Sequence, residues 1–163
     1  MSDIMESIEP LPSVVVDANV LIAAVRPDIG HVRPEDADAS VALLDAIDRG
    51  RCHAFIPSAL VAEVIHVLAR NGVGASARRA LVARWSAMPG RLDIVPVDLS
   101  LAFEAGEYRQ ANYHRDRLPL SYADCFCVAL ARQRGVPIVT IEEPLQRAPG
   151  VISLPPAQFL LRL

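Results

Sequence analysis

The chain has 163 residues, 52% of them hydrophobic, which suits one folded domain with a sizeable core and excludes a disordered chain. Its formal net charge is −3, so the protein as a whole is not a basic nucleic-acid binder. All 16 cationic side chains are arginine, and the absence of lysine excludes Schiff-base chemistry and a P-loop lysine.

No apolar run approaches the ~18 residues needed to span a membrane. Residues 1–12 carry acids and no basic segment, so they read as a short tail and not as a signal peptide. Cys52, Cys125 and Cys127 are an odd count without an export signal, which points to reduced thiols in a cytoplasm. Cys125-Phe126-Cys127 lacks a second ligand pair for zinc and reads as buried core thiols.

Residues 13–17 read as a strand and 18–25 as a short helix halted by Arg26-Pro27. A polar loop covers 27–36, and 38–49 is helical with Gly50 as its stop. A second strand runs from Cys52 to Ile56, after which Ser58 is placed to cap a helix through Arg70. Asn71-Gly72-Val73-Gly74 is a turn; its Gly-x-Gly has no second half and follows no strand, so it is not a dinucleotide loop. A helix over 75–87 ends at Pro89-Gly90, and Leu92 to Val97 is a third strand. A helix over 99–112, a charged loop over 113–119 and a helix capped by Ser121 through Arg134 follow. Strands at Ile138 to Thr140 and Val151 to Leu154 complete the series, and Pro155-Pro156 precedes a short tail. Strands separated by helix-length segments require crossovers, hence one α/β domain with helices on both faces of a mostly parallel sheet.

Four acids stand out against this frame. Asp17 ends an apolar strand and turns straight into a helix, at the sheet edge where open α/β folds bind ligands. Its plainer role is to cap that helix, but Asn19 adds a polar group that a cap does not need. Glu63 lies on or beside the buried stripe of Leu60, Val64 and Val67, where an unpaired carboxylate is costly. The alternative is an edge position with its head in water. Asp124 lies in the first turn of its helix, which the helix dipole favours by itself. However, Val128 and Ala131 place it on the inward stripe, facing the same side as Ser121. Glu142 follows Val139-Thr140-Ile141 as Asp17 follows its own strand, with Glu143 as the adjacent alternative and a solvated loop acid as the plain reading. Four carboxylates at one edge repel each other unless a cation lies between them, and a divalent metal fits that need. Glu63-Val64-Ile65-His66 has the spacing of a carboxylate-bridged di-iron site, but such a site needs two pairs and the chain has one.

The order of these segments resembles the PIN-domain nucleases, and among them the VapC-like toxins. The segments are Val15-Val16-Asp17-Ala18-Asn19-Val20-Leu21, Ser58-Ala59-Leu60-Val61-Ala62-Glu63-Val64, Leu120-Ser121-Tyr122-Ala123-Asp124-Cys125 and Gly135-Val136-Pro137-Ile138-Val139-Thr140-Ile141-Glu142, with a closing Leu154-Pro155-Pro156-Ala157-Gln158-Phe159-Leu160. The resemblance covers the chain after residue 12. It implies a single three-layer α/β/α domain over 13–163, with a central, mostly parallel sheet of about five strands. It further implies Asp17, Glu63 and Asp124 as catalytic and metal-binding acids, with Glu142 in place of the family's usual Asp. Asn19, Ser121 and Thr140 would be polar helpers. The activity implied is Mg²⁺- or Mn²⁺-dependent endoribonuclease chemistry leaving a 5′-phosphate and a 3′-hydroxyl. The partners implied are an RNA substrate, a cognate antitoxin and a second copy in a homodimer.

Arg26, Arg33, Arg78, Arg79, Arg115 and Arg117 are rim candidates for attracting RNA, and Tyr113 and Tyr122 for stacking its bases. Helices 38–49 and 75–87 offer apolar faces for the antitoxin or a second copy. A phosphoaspartate phosphatase needs Asp-x-Asp after its first strand, where this chain has Asp17-Ala18-Asn19, and a receiver domain needs a lysine. A PIN-like fold that only binds RNA or protein, and a housekeeping RNA-processing nuclease, are the other readings.

Overall fold

The structure is a computed structural model that describes residues 11–30 and 32–163. The expected tail over 1–12 therefore lies almost wholly outside the described residues.

Five strands form one sheet: β1 (Ser13–Val16), β2 (His53–Pro57), β3 (Leu92–Val95), β4 (Ile138–Val139) and β5 (Ser153–Leu154). Their order is β3-β2-β1-β4-β5, and every pairing is parallel. The strands are short and carry Val14, Val15, Val16, Ala54, Ile56, Ile138 and Val139 fully buried, the mark of a sheet covered on both faces.

Eight helices supply the crossovers: α1 (Ala18–Val25), α2 (Pro34–Asp48), α3 (Ser58–Arg70), α4 (Ala75–Ser86), α5 (Leu99–Asn112), α6 (Tyr122–Arg134), α7 (Glu143–Gln146) and α8 (Pro156–Leu160). The result is an α/β/α sandwich. α1 packs on α2 and α3, α2 on α8, and α5 on α6, which also lies against β1, β2 and β4. None of the described helices is long and apolar enough to cross a membrane.

The chain works outward from β1 to β2 and β3, then returns past β1 to lay down β4 and β5. Strand order therefore reverses between β1 and β4. Such a switch point opens a crevice beyond the carboxyl ends of the two strands. Asp17 follows β1 directly, and Thr140 and Glu142 follow β4.

Several boundaries differ from the sequence reading. α2 begins at Pro34, inside the expected loop; proline fits the first helical turn, and Glu35 and Asp36 there favour the helix dipole. β3 ends at Val95, β4 at Val139, and β5 keeps only Ser153 and Leu154, because each ends where its neighbour's ladder ends. Ser58 does not cap α3. Pro57 holds that place, and the Ser58 hydroxyl accepts the Val97 amide at 3.2 Å. The short helices α7 and α8 replace an expected loop and tail, and both bury an apolar anchor, Leu145 and Phe159. Other expectations match, among them the turn at 71–74, where Gly72 takes a φ of +78°, and the burial of all three free cysteines.

Candidate active site

Asp17 occupies the N-cap position of α1 but makes no capping hydrogen bond. Its side chain turns the other way. Oδ2 accepts the Thr140 hydroxyl at 2.8 Å, from the end of β4. The backbone holds the same junction, since the Asp17 amide donates to the Val139 carbonyl at 3.0 Å. Only 2% of Asp17 is exposed. Burial, then the charge of Glu142, push its carboxyl up to about 8, with smaller contributions from Asp124 and Glu63; the Thr140 hydrogen bond acts against the rise.

Thr140 is fully buried and serves both strand ends. It donates to Asp17 and accepts the Glu142 amide at 3.0 Å, which fixes the backbone from which Glu142 projects. Glu142 is half-buried. Burial and the charges of Asp124 and Glu63 raise its proton affinity, against a hydrogen bond from Asn19. Glu143 is exposed, begins α7 and faces Arg147 at 3.6 Å. Of the two adjacent glutamates, Glu142 is the one that joins the other acids.

Asp124 reaches the site from the opposite layer. A parallel crossover returns α6 with its N-terminus at the carboxyl edge of the sheet, and Asp124 is the third residue of that helix. Ser121 and Asp124 form a reciprocal capping box: Ser121 Oγ accepts the Asp124 amide at 3.1 Å, and Asp124 Oδ2 accepts the Ser121 amide at 2.6 Å. The capping reading is thus realised for Asp124, whereas it fails for Asp17. Capping engages one oxygen of Asp124 and fixes its rotamer, and the carboxylate stays close enough to raise the proton affinity of Glu63 and Glu142. Glu63, in the second turn of α3, is half-buried, with burial first and Asp124 second in raising its carboxyl. His66 is exposed on the same helix.

All four acids therefore share one electrostatic site. Each is drawn there by a different element: α1 after β1, α3 after β2, the first turn of α6, and the end of β4. Among the described residues, no three His, Cys, Asp or Glu side chains are grouped tightly enough to enclose an ion by themselves. The donor set fits a hard divalent cation in a different way. It offers only hard oxygen donors, with Asp17 buried beside other acids, and a hard cation that keeps several of its waters takes only one or two carboxylates. A cleft of about 600 Å³ opens from this edge between α1, α2, α3 and α7, lined by Asn19, Ile22, Val67, Ile141, Glu142 and Gln146.

The family follows from the match of a PIN domain model to residues 14–151. The chain belongs to the PIN domain family. Its fold is similar to those of several solved structures. It is similar to VapC20 of Mycobacterium tuberculosis, a Sarcin-Ricin loop cleaving toxin, with 16% identity, a TM-score of 0.67, and coverage of 87% of this chain and 98% of that one. It is similar to VapBC2 from Rickettsia felis bound to a promoter DNA fragment, with 18% identity, a TM-score of 0.63 and coverage of 87% and 97%. It is also similar to FitAcB from Neisseria gonorrhoeae, with 20% identity, a TM-score of 0.60 and coverage of 88% and 98%. At these identities the likeness is one of fold. No curated protein matches the chain at a significant level.

Around the PIN site the cationic rim differs from the sequence reading. Arg26 is held bidentately on Asp28 at 2.7 and 2.6 Å; Arg33 lines the cleft but is paired with Asp36, in the first turn of α2, at 2.8 Å. Arg115 and Arg117 are exposed. Arg109, which sequence reasoning passed over, lies 4.2 Å from the centre of the Tyr113 ring and 4.6 Å from that of Tyr122, and it donates to the Leu120 carbonyl. It ties the end of α5 to the start of α6, immediately before the Ser121–Asp124 box. Its only trace in the sequence is an arginine in the last turn of α5, four residues before an aromatic.

Proposed function

We propose that this PIN domain protein is a metal-dependent endoribonuclease, acting in the cytoplasm as the toxin of a toxin–antitoxin pair. One observation carries the reading. A buried carboxylate, Asp17, declines the cap available to it and is instead held by Thr140 among three other acids at the topological switch point. An arrangement so unfavourable without a cation is difficult to explain as scaffold.

Asp17, Glu63, Asp124 and Glu142 would hold Mg²⁺ or Mn²⁺, with Asn19, Ser121 and Thr140 as polar support. When bound, the ion supplies Lewis-acid activation of water and neutralises charge on the attacked phosphate. The chain's own groups do the positioning. Thr140 orients Asp17 and the Glu142 backbone, the capping box orients Asp124, and burial keeps bulk water from screening the charges. No side-chain nucleophile is required, and the products are a 5′-phosphate and a 3′-hydroxyl. Family membership and the likeness to VapBC2 and FitAcB support an antitoxin partner, and a homodimer is part of the same proposal.

The test is cleavage of an end-labelled RNA in Mg²⁺ or Mn²⁺ by the native chain and by Asp17→Asn. Cleavage should require the metal and fall by about a hundredfold or more in the variant, as for loss of one preorganised electrostatic group. Cleavage that persists in excess EDTA would remove the proposal. Copurification of the product of the neighbouring reading frame tests the antitoxin.

A further inference from the structure

Leu120 is fully buried, and among the described residues no backbone amide donates to its carbonyl. A buried carbonyl without a partner is destabilising. Arg109 supplies that partner from the last turn of α5, 11 residues earlier in the chain. The helix dipole alone can account for a cation in that turn, but such a side chain would extend into water. Arg109 is instead half-buried, with its guanidinium carbon 4.2 Å from the centre of the Tyr113 ring and 4.6 Å from that of Tyr122. Among the described residues it pairs with no carboxylate.

The Leu120 carbonyl and the Ser121 amide belong to one peptide group. It is planar and trans, so its oxygen and its N–H point in opposite directions. Arg109 holds the oxygen, and the N–H donates to Asp124 Oδ2 at 2.6 Å. The two hydrogen bonds are therefore coupled: a rotation of this plane that breaks one also breaks the other. A cation on the carbonyl further polarises the peptide and strengthens its N–H as a donor. Asp124 Oδ1 accepts from no described group, so the carboxylate is fixed by one oxygen while the other stays free.

We propose that Arg109 is a positioning residue for Asp124, acting through the single Leu120–Ser121 peptide to set the direction in which that carboxylate faces the other acids. The proposal rests on the nuclease reading and adds to it a residue that works on the site through another. Ser121 fixes Asp124 from within the cap of α6. Arg109 fixes it from a different helix, so the packing of α5 on α6 becomes part of the site's geometry.

The test uses the whole chain with Arg109→Met, which keeps an unbranched apolar stem beside the two rings and removes the donor, and with Arg109→Lys, which restores a charged donor. The first measurement is amide proton exchange by NMR in EDTA. The Ser121 amide is read against that of Val128, in the middle of α6, so that a general loss of stability cancels. In Arg109→Met the Ser121 amide should exchange about tenfold faster or more relative to Val128, as for loss of one hydrogen bond to a charged group. The second measurement is cleavage of a labelled RNA as a function of Mg²⁺. The concentration for half-maximal rate should rise about tenfold or more in Arg109→Met, as when a ligand loses the partner that orients it. The KM for RNA at saturating Mg²⁺ should stay within about twofold of native, since substrate binding is not what the residue serves. Arg109→Lys should lie closer to native than Arg109→Met in both measurements. An unchanged exchange ratio in Arg109→Met overturns the inference, and so does an equal loss in Arg109→Lys, which would assign Arg109 to packing against the rings. Native chain that cuts no RNA in Mg²⁺ or Mn²⁺ defeats the nuclease reading; native chain that cuts, with Arg109→Met keeping the native Mg²⁺ requirement, defeats only this inference.

Discussion

Thr140 donates its hydroxyl to Asp17 Oδ2 at 2.8 Å across 123 residues of chain. The bond joins the ends of the two strands between which the sheet reverses its order. It also decides what Asp17 is for, because a carboxylate that accepts from Thr140 is turned away from the helix it begins. In Thr140→Val the ionised form of Asp17 loses a hydrogen bond worth about 1.5–3 kcal/mol. Mg²⁺ affinity at neutral pH should then weaken about tenfold or more by calorimetry, and Thr140→Ser should restore most of it.

Asp17 makes the metal-free protein sensitive to pH in an unusual direction. Its folded-state carboxyl titrates at about 8, above the ordinary value of 3.8. A folded state that holds its proton more tightly than the unfolded chain is favoured below pH 4, and that advantage disappears as pH rises through about 8. Thermal melts in EDTA should therefore show Tm falling between pH 4 and 8. The fall should be reduced in Asp17→Asn, which at pH 8 should melt at least about 3 °C above native, the shift expected for ~1 kcal/mol in a domain of this size.

Glu142 and Glu143 should behave differently despite being adjacent. The charge of Glu142 is the largest electrostatic cause of the Asp17 shift, so Glu142→Gln should move the midpoint of that pH dependence downward and lower RNA cleavage. Glu143 is exposed and faces Arg147. Glu143→Gln should leave the midpoint and the Mg²⁺ affinity where they are. The reverse pattern would reassign the fourth acid.

Ser121→Ala removes half of the capping box that fixes Asp124. Loss of such a cap costs about 1 kcal/mol, or about 2–4 °C in Tm at this chain length. Cleavage should fall further than stability explains, because Asp124 loses the partner that fixes its rotamer. A variant whose residual activity simply follows its folded fraction would limit Ser121 to a structural role.

The parts legible in the sequence were those with a local cause. Val14 to Val16 followed by Asp17 marks a buried strand and its end, and the stripe of Leu60, Val64 and Val67 marks the helix α3, in which the fold buries Leu68 and leaves Val67 half-buried. α7 and α8 were missed because helices of four and five residues have no periodicity to read; they hold their shape by burying Leu145 and Phe159 against the rest of the fold. Arg26 and Arg33 looked like free cations because pairing with Asp28 in the loop and with Asp36 in the first turn of α2 depends on local backbone geometry that composition does not encode.

The sequence by itself determined the order of elements and which acids end strands or lie on inward helix faces, since these depend on residue type and spacing over a few turns. Tertiary structure alone decided that Asp17 faces Thr140 while Asp124 caps its own helix, and that Glu142 and not Glu143 joins the acids. The reason is physical: burial and like-charge proximity are properties of groups brought together across the whole chain, and no local window contains both partners.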